Sequence, residues 1–196
     1  MDIYSFSRVY FASTFVQECA YDLFSRKNHH HLINFIRDAA GNPFLATIRG
    51  GLFEAHAHQR LCSGENFKIQ SLESSGSGSG EDETVNFGQL STKDVSHVED
   101  IDAGYYCKPV AKNFESIDSM IAPNTLFQIT VAEKHPVKHN GLDKLKDKLA
   151  TSGELRLYFV VPSDRYRGFQ HQSYTNMDGI FAFQWIHLCL PSMHCA

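Results

Sequence analysis

The chain has 196 residues, 42% of them hydrophobic, a length that suits one domain whose core needs neither disulfides nor metal for stability. The formal net charge of −4 argues against a strongly basic nucleic-acid-binding protein, although the distribution of charge matters more than its sum. No window of roughly 18 apolar residues occurs and the N-terminal residues lack a basic segment, so we expect neither a membrane span nor a signal peptide.

Residues 9–40 predict an N-terminal pair of helices that packs on the core. In the first helix, Phe15, Cys19 and Leu23 recur at intervals of four. The second helix is stopped by the Gly-Asn-Pro segment at residues 41–43. Its apolar side chains have the spacing of an amphipathic helix: Leu32, Phe35, Ile36 and Ala39.

The next segments predict a helix, a strand and a loop. The helix starts near residue 51, contains Glu54 and ends at Ser63-Gly64, and residues 66–72 alternate as a strand does. Residues 73–98 predict a flexible acidic Gly/Ser loop inserted in a single domain, 1–196, because this composition cannot bury enough apolar surface to order itself.

The acidic loop dominates the charge balance. From residue 73 to residue 104 there are eight acids and one base, Lys93, a local charge of −7 that leaves +3 for the rest of the chain. A mildly basic body permits nucleic-acid binding without demonstrating it.

The sequence becomes strand-like again from residue 104 to residue 121, a segment that includes Asp118. From Leu126 to Val131 the side chains alternate, which predicts a strand with Phe127, Ile129 and Val131 on one face and Gln128 and Thr130 on the other. An amphipathic helix over 141–149, a strand over 155–162 and a last apolar strand within 179–190 follow.

From the helix that contains Glu54 onward, the predicted order is αβββαβ, the common core of the restriction-endonuclease-like fold. We therefore predict an α/β (α+β) domain with a central mixed sheet and the added N-terminal helical pair. An Asp at the end of one strand, followed by two polar groups spaced by two on the next, is the layout of a PD-(D/E)xK divalent-metal nuclease site. Here Gln128 and Thr130 stand where a second acid and a lysine are expected after Asp118.

Several phrases resemble the C-terminal domain of Crinkler effectors and the related retrotransposon hot spot proteins. They lie at residues 42–58, 117–118, 126–138 and 155–162, and the resemblance extends over roughly residues 10–175. It implies a PD-(D/E)xK-derived module that acts on DNA or RNA in a host-cell nucleus, beside a P-loop NTPase. The chain has no Gly-x-x-x-x-Gly-Lys-Ser/Thr loop, so we expect no nucleotide cofactor, and the NTPase would be a separate partner.

The resemblance also implies roles for individual residues. Glu54, Asp118 and Gln128 would hold Mg²⁺, with Asp118 as the central ligand. Thr130 replaces the catalytic lysine, and the nearest substitute is Lys134, about 13 Å further along an extended strand. Weak metal binding is expected, because the neutral Gln128 stands in place of a second acid. The lost unit charge, at ~4 Å from a cation, is worth on the order of 4 kcal/mol per cation charge at an effective dielectric of ~20. As alternatives, Asp118 is a strand-end residue and Glu54 a solvated or salt-bridged acid.

A local run of lysines is expected to contact phosphates, although Asp143 and Asp147 make a solvated amphipathic surface an equal alternative. These lysines are Lys134, Lys138, Lys144, Lys146 and Lys148.

The cysteines and histidines predict no metal or disulfide framework. Five cysteines without CxxC spacing favour a reducing compartment, with Cys19 and Cys62 as small buried hydrophobes. Zinc sites usually combine four ligands, and His58 with Cys62 supplies only two.

The leading hypothesis is thus a Crinkler-like effector module that binds nucleic acid, with a degenerate Mg²⁺-dependent nuclease site, in the host nucleus. The alternatives are a non-catalytic effector domain that binds a host protein or nucleic acid, and a gene fragment without an independent role. The tail from Met177 departs from the pattern of the resembling proteins.

Overall fold

The computed structural model of the chain is built around a mixed sheet of eight strands, with two long helices on one of its faces. The structure describes residues 9–72, 82–110, 114, 117–138, 142, 145, 149, 155–170, 172, 174–175 and 184–190. The mixed α+β architecture with its N-terminal helices and central mixed sheet agrees with the prediction. The restriction-endonuclease-like core itself stays a prediction.

Two helices precede the first strand: α1 spans Thr14–Asp38 and α2 spans Ala46–Leu61. Ser13 begins α1 by accepting a hydrogen bond from the backbone N–H of Val16 at 3.2 Å. Asn28 has φ −148° and ψ 51°, so α1 consists of two helical segments that meet in a kink at this residue, in agreement with the predicted pair of helices. Neither helix has the length and apolar composition that a crossing of a membrane requires.

The face that α1 turns to the core differs from the predicted one. Tyr21 is buried and its hydroxyl contacts Nδ1 of His56 at 3.0 Å and donates to Oε1 of Gln59 at 2.6 Å. These contacts orient α1 on α2 so that Phe15 and Leu23 point to solvent, 72% and 51% exposed. The prediction that this first helix packs on the core through Phe15, Cys19 and Leu23 was therefore wrong, as was the expected burial of Cys19.

The strands follow in chain order. They are β1 (Asn66–Ser71), β2 (Glu83–Asn86), β3 (Ser91–Val95), β4 (Tyr105–Pro109), β5 (Ser119–Ile121), β6 (Thr125–Ile129), β7 (Val137–Lys138), β8 (Arg156–Pro162), β9 (Tyr174–Thr175) and β10 (Gln184–Leu190), with a short helix α3 (Ser163–Tyr166) after β8. The main sheet has the order β2-β1-β10-β8-β6-β5-β4-β3, and β7 and β9 form a separate two-stranded sheet. Strands β4, β6, β8 and β10 run in one direction, and β1 and β5 run against them.

The predicted loop over residues 73–98 needs correction in its second half. Strands β2 and β3 lie at opposite edges of the main sheet. Val95 is fully buried, while Lys93 donates to the Asp100 carbonyl oxygen at 2.8 Å and to Oδ2 of Asp102 at 2.6 Å. Pairing of β2 with β1 and of β3 with β4, together with these contacts, orders an acidic segment whose composition alone predicts a loop. Residues 73–81 lie outside the described part of the chain.

Hydrophobic side chains cover both faces of the main sheet. Phe127 and Ile129 join the cluster under α1 and α2, and Leu126 joins the cluster on the opposite face, which confirms the alternation predicted for this strand. Gln128 shares the face of Leu126, because it follows Phe127 and precedes Ile129 in β6. Of the predicted helix over 141–149 the structure describes three residues, all buried in that opposite cluster: Leu142, Leu145 and Leu149.

Candidate functional site

Glu54 and Asp118 line the same cleft, a space of about 380 Å³ bordered by α1, α2 and the ends of β4 and β5. Glu54 lies on α2, and Asp118 directly precedes β5. The fold therefore brings together two carboxylates that are distant in sequence, as the predicted nuclease layout requires.

Asp118 occupies the end of the sheet rather than either face. Its backbone N–H donates to the Phe127 carbonyl oxygen at 2.9 Å, and its Oδ2 accepts a hydrogen bond from the Ile129 N–H at 2.6 Å. The side chain remains partly accessible at the base of the cleft, yet protein surrounds it closely. Loss of hydration, opposed by the Ile129 hydrogen bond and reinforced by the negative charge of Glu54, raises the pKa of Asp118 to about 7.

A chain of polar contacts runs from Glu54 to the residue beside Asp118. Nε2 of His58 lies 3.9 Å from Oε1 of Glu54, one helical turn away on α2. Nδ1 of His58 contacts the Tyr106 hydroxyl at 2.8 Å, and that hydroxyl contacts Oγ of Ser119 at 2.6 Å. Tyr106 and Ser119 are fully buried, so these contacts lie behind the cleft and fix the position of His58, which lines it.

The cleft carries an excess of negative charge. Among the described residues that line it are four acids, Glu18, Glu54, Asp94 and Asp118, and one lysine, Lys108. Nζ of Lys108 donates to Oε1 of Glu18 at 3.0 Å, so its charge is already shared with an acid. Such a cleft attracts a cation and repels a phosphate until a cation is bound.

The donor set of this cleft fits Mg²⁺ better than zinc. Mg²⁺ is commonly held by one or two carboxylates together with water and substrate phosphate oxygens, and Glu54 and Asp118 supply two carboxylates. The raised pKa of Asp118 follows mainly from loss of hydration and also from the negative charge of Glu54, both of which a bound cation would offset. Within the described ranges, no group of three or more His, Cys, Asp or Glu residues is arranged to hold a metal ion, so the protein offers two ligands and not a closed site.

The structure does not bring Gln128 and Thr130 into this arrangement. Gln128 is 2% exposed, and its Oε1 has no hydrogen-bond partner in the part of the chain that is described. Oγ1 of Thr130 accepts from the Ala132 N–H at 3.1 Å and contacts Nδ1 of His135 at the same distance, which makes it a turn residue after β6. Among the described residues, no hydrogen bond joins either side chain to Asp118 or Glu54.

Lys134 lies at a second cavity, of about 610 Å³, between the segments that follow β6 and β8. Neither Glu54 nor Asp118 lines it. Gln172 fastens its two sides, since its Oε1 accepts from the His135 N–H at 2.6 Å and its Nε2 donates to the Glu133 carbonyl oxygen at 3.1 Å. Lys134 therefore lies at a different cavity from Glu54 and Asp118, and its position does not support the prediction that it replaces the missing lysine.

The other predicted phosphate-binding lysines divide into two groups. Lys138 is exposed on β7, in the small separate sheet. Lys144, Lys146 and Lys148 lie outside the described residues.

Sequence reasoning missed Lys108 and His58 as parts of the cleft, and Tyr106 as the buried residue that contacts His58. Tyr106 and Lys108 are two residues apart on β4, so they share the sheet face that α2 covers. His58 follows Glu54 by four residues, on the same side of α2. The spacing of two on β4 and the spacing of four on α2 indicate which residues share a face. Neither spacing shows which helix or strand that face contacts.

Comparison with known proteins gives a distant relationship. No protein-family model and no solved structure matches the chain. Crinkler effector protein 16 of Phytophthora infestans is 27% identical over 164 residues, which cover 79% of this chain and 26% of that protein. Crinkler effector protein 15 of the same organism is 28% identical over 143 residues, 70% of this chain and 23% of the relative. The chain spans about a quarter of the length of these curated relatives, and it is similar to Crinkler effector proteins at low identity.

Proposed function

We propose that this chain is a Crinkler-like effector module that binds nucleic acid and cleaves its phosphodiester backbone with a divalent cation held by Glu54 and Asp118. The observation that carries the proposal is the meeting of these two carboxylates in one acidic cleft. The similarity to Crinkler effector proteins supports the effector part of this proposal. We further propose a host-cell nucleus as its setting and a separate NTPase module as a partner.

Four side chains of the cleft have roles in this proposal. A bound Mg²⁺ supplies Lewis acidity and neutralises the phosphate charge. Asp118 must lose its proton to bind the cation, and His58 holds Glu54 toward the cleft. Lys108, released from Glu18 when a phosphate enters, supplies the positive charge that Thr130 does not.

The experiment measures cleavage of plasmid DNA and of single-stranded RNA by the purified protein, with Mg²⁺ or Mn²⁺ and with EDTA. We expect metal-dependent cleavage, lost by at least 10²-fold in Asp118→Asn and Glu54→Gln because each removes a ligand charge. Lys108→Met should lower the rate by roughly 10²-fold, the usual size of the loss of one transition-state charge contact.

Two control variants test whether the cleft is the site. Asp38→Asn removes an exposed acid at the end of α1, and Lys134→Met removes the lysine of the second cavity. Both should cleave at the rate of the unmodified protein. Loss of cleavage in Lys134→Met with normal cleavage in Lys108→Met would reverse the assignment of the lysine.

A non-catalytic domain that binds a host protein or nucleic acid is the second candidate. The two-ligand donor set and the pairing of Lys108 with Glu18 favour it. It predicts binding of DNA or RNA, or of a host protein, that is indifferent to EDTA and unchanged in Asp118→Asn, with no cleavage under any metal.

A further inference from the structure

A buried tyrosine hydroxyl lies between the two proposed metal ligands. Tyr106 and Ser119 are fully buried, and the Tyr106 hydroxyl contacts Oγ of Ser119 at 2.6 Å and Nδ1 of His58 at 2.8 Å. Ser119 directly follows Asp118 in the chain, and Nε2 of His58 lies 3.9 Å from Oε1 of Glu54. One hydroxyl group is therefore linked to both carboxylates without a hydrogen bond to either of them.

The two buried hydroxyl groups have one proton each, and each proton needs an acceptor. If Tyr106 donated to Ser119, the Ser119 proton would have no acceptor among the described residues, since its Oγ makes no other hydrogen bond there. If Ser119 donates to Tyr106 and Tyr106 donates to Nδ1 of His58, both protons are used. A buried polar group left unsatisfied costs about 1–3 kcal/mol, so the second order is favoured.

This order determines the tautomer of His58. A neutral imidazole has one N–H group, and Nδ1 is the acceptor when the Tyr106 hydroxyl donates to it. The proton is then on Nε2, the nitrogen nearest Glu54, at a distance that suits charge–dipole attraction rather than a direct hydrogen bond. The opposite tautomer would turn a lone pair toward the carboxylate, and the two would repel each other. Hydrogen-bond accounting and electrostatics thus agree on one tautomer.

We infer that Tyr106 is a positioning residue of the cleft: its hydroxyl keeps the Nε2 proton of His58 turned toward Glu54 and thereby holds the Glu54 carboxylate in place for a cation. The tautomer is a property of the chain itself, whereas the effect on a cation rests on the proposed function. The Glu54 side chain is 43% exposed and has no other ion pair in the described ranges, so its position depends on this contact. Burial raises the pKa of Tyr106 well above its ordinary value, so the hydroxyl keeps the proton that it donates.

Nuclear magnetic resonance of protein with isotope-labelled histidine measures the tautomer, because protonated and unprotonated ring nitrogens have clearly different chemical shifts. The spectrum is recorded without metal at about pH 8, where an imidazole is ordinarily neutral. The chain has 11 histidines, and His58→Gln identifies the signals of His58 by their loss. We expect the proton on Nε2 in the unmodified protein.

Two substitutions separate this order of hydrogen bonds from the reverse order. Tyr106→Phe removes the donor to Nδ1 of His58, so the share of the Nδ1–H tautomer should rise. Ser119→Ala removes a donor to Tyr106 but leaves Tyr106 able to donate to His58, so the tautomer should not change. A proton on Nδ1 in the unmodified protein, or a change of tautomer in Ser119→Ala, would overturn the inference.

Cation affinity is measured separately, by Mn²⁺ titration followed with electron paramagnetic resonance and without any cleavage. Tyr106→Phe should weaken Mn²⁺ binding by about 10-fold, the lower end of the usual effect of a hydrogen bond behind a metal ligand. In Glu54→Gln the same substitution should cause no further loss, because Tyr106 acts through Glu54. Equal Mn²⁺ affinities of Tyr106→Phe and the unmodified protein would overturn the positioning role.

Tyr166→Phe is the matched control. It removes the hydroxyl of another buried tyrosine, which donates to Oδ1 of Asp82 at 3.2 Å, and should leave Mn²⁺ affinity and the His58 tautomer unchanged. An unmodified protein that binds no Mn²⁺ would refute the proposed function, and the metal-free spectrum would then decide the inference alone.

Discussion

The Asp118 cleft and the Lys134 cavity lie at the same end of the sheet, but the cleft has an excess of negative charge whereas the cavity is lined by ion pairs. Asp118 closes the end of β6, and Lys134 follows that strand. In the cleft, acids outnumber the lysine and one carboxyl group has a raised pKa. At the cavity, Arg165 pairs with Glu133, and Asp164 pairs with Arg49.

The two regions differ in how far their charges are compensated by partners within the protein. Three of the charged residues that line the Lys134 cavity, Glu133, Asp164 and Arg165, form ion pairs within the protein, so an added ligand would have to compete with these pairs. Charges in the Asp118 cleft remain unbalanced, which is the condition that an added cation relieves. Perturbed titration together with an unbalanced cleft is typical of functional positions, whereas paired charges are typical of structural ones.

The largest effect should come from the ion pair that joins the two regions. Nη2 of Arg49 donates to both carboxylate oxygens of Asp164 at 2.9 Å, and Nε donates to the Ile36 carbonyl oxygen at 2.7 Å. Arg49 lies on α2 with Glu54 and its side chain is only 4% exposed. Arg49→Met therefore removes the donor from the buried Ile36 carbonyl oxygen and the bidentate partner from the half-buried Asp164 carboxylate. We expect about 3–5 kcal/mol less free energy of unfolding, measured with urea at pH 7.

Arg37→Met provides the control for the loss of one arginine. Arg37 pairs with Asp38 at 2.8 Å, but both side chains are largely exposed. Its unfolding midpoint should equal that of the unmodified protein. If Arg49→Met were equally harmless, α2 would not depend on the contact with Asp164.

The second effect is a pH dependence that belongs to the cleft alone. Because the folded-state pKa of Asp118 is raised to about 7 from 3.8, its contribution to stability is complete below about pH 4 and is lost as the pH rises through 7. Asp118→Asn keeps an oxygen for the Ile129 N–H but cannot ionise. We expect this variant to match the unmodified protein near pH 4 and to exceed it by on the order of 2–4 kcal/mol above pH 8 without metal.

Thermal unfolding from pH 4 to pH 8.5 in EDTA measures this difference. Added Mg²⁺ should stabilise the unmodified protein increasingly above pH 7, where Asp118 is ionised, and should not stabilise Asp118→Asn. Two unfolding curves that stay parallel across the whole pH range would show that Asp118 ionises as an ordinary surface acid.

The comparison also shows which parts of the fold the sequence could predict. Strands β1, β6, β8 and β10 were predicted because their apolar patterns are local and regular. Strands β2 and β3 were missed because most of their side chains are exposed, and their order comes from pairing with distant strands. A short, polar edge strand has little local signature.

The candidate site was predictable only in part for a related reason. Glu54 and Asp118 were placed together through the resemblance to a fold, not through any local pattern. Alternation along β6 identifies the face of Gln128 but not the direction of Asp118, which precedes β5 and accepts a hydrogen bond from the Ile129 N–H. Lys108 depends on the position of β4 beside α1, and no local spacing encodes that contact.

The smallest effect tests whether Gln128 belongs to the cleft or to the core. Its Oε1 is buried and, within the described residues, without a partner, so Gln128→Leu should leave stability unchanged or raise it by about 1 kcal/mol. Thr130→Val is the matched substitution on the same strand end; it should lower stability by about 1 kcal/mol because the Ala132 N–H loses its acceptor. Urea unfolding measures both, and Mg²⁺ titration of the melting temperature is run in parallel. If Gln128→Leu reduced the Mg²⁺-dependent rise in melting temperature as much as Asp118→Asn does, the Gln128 amide would be a metal ligand, and Gln128 would belong to the cleft and not to the core.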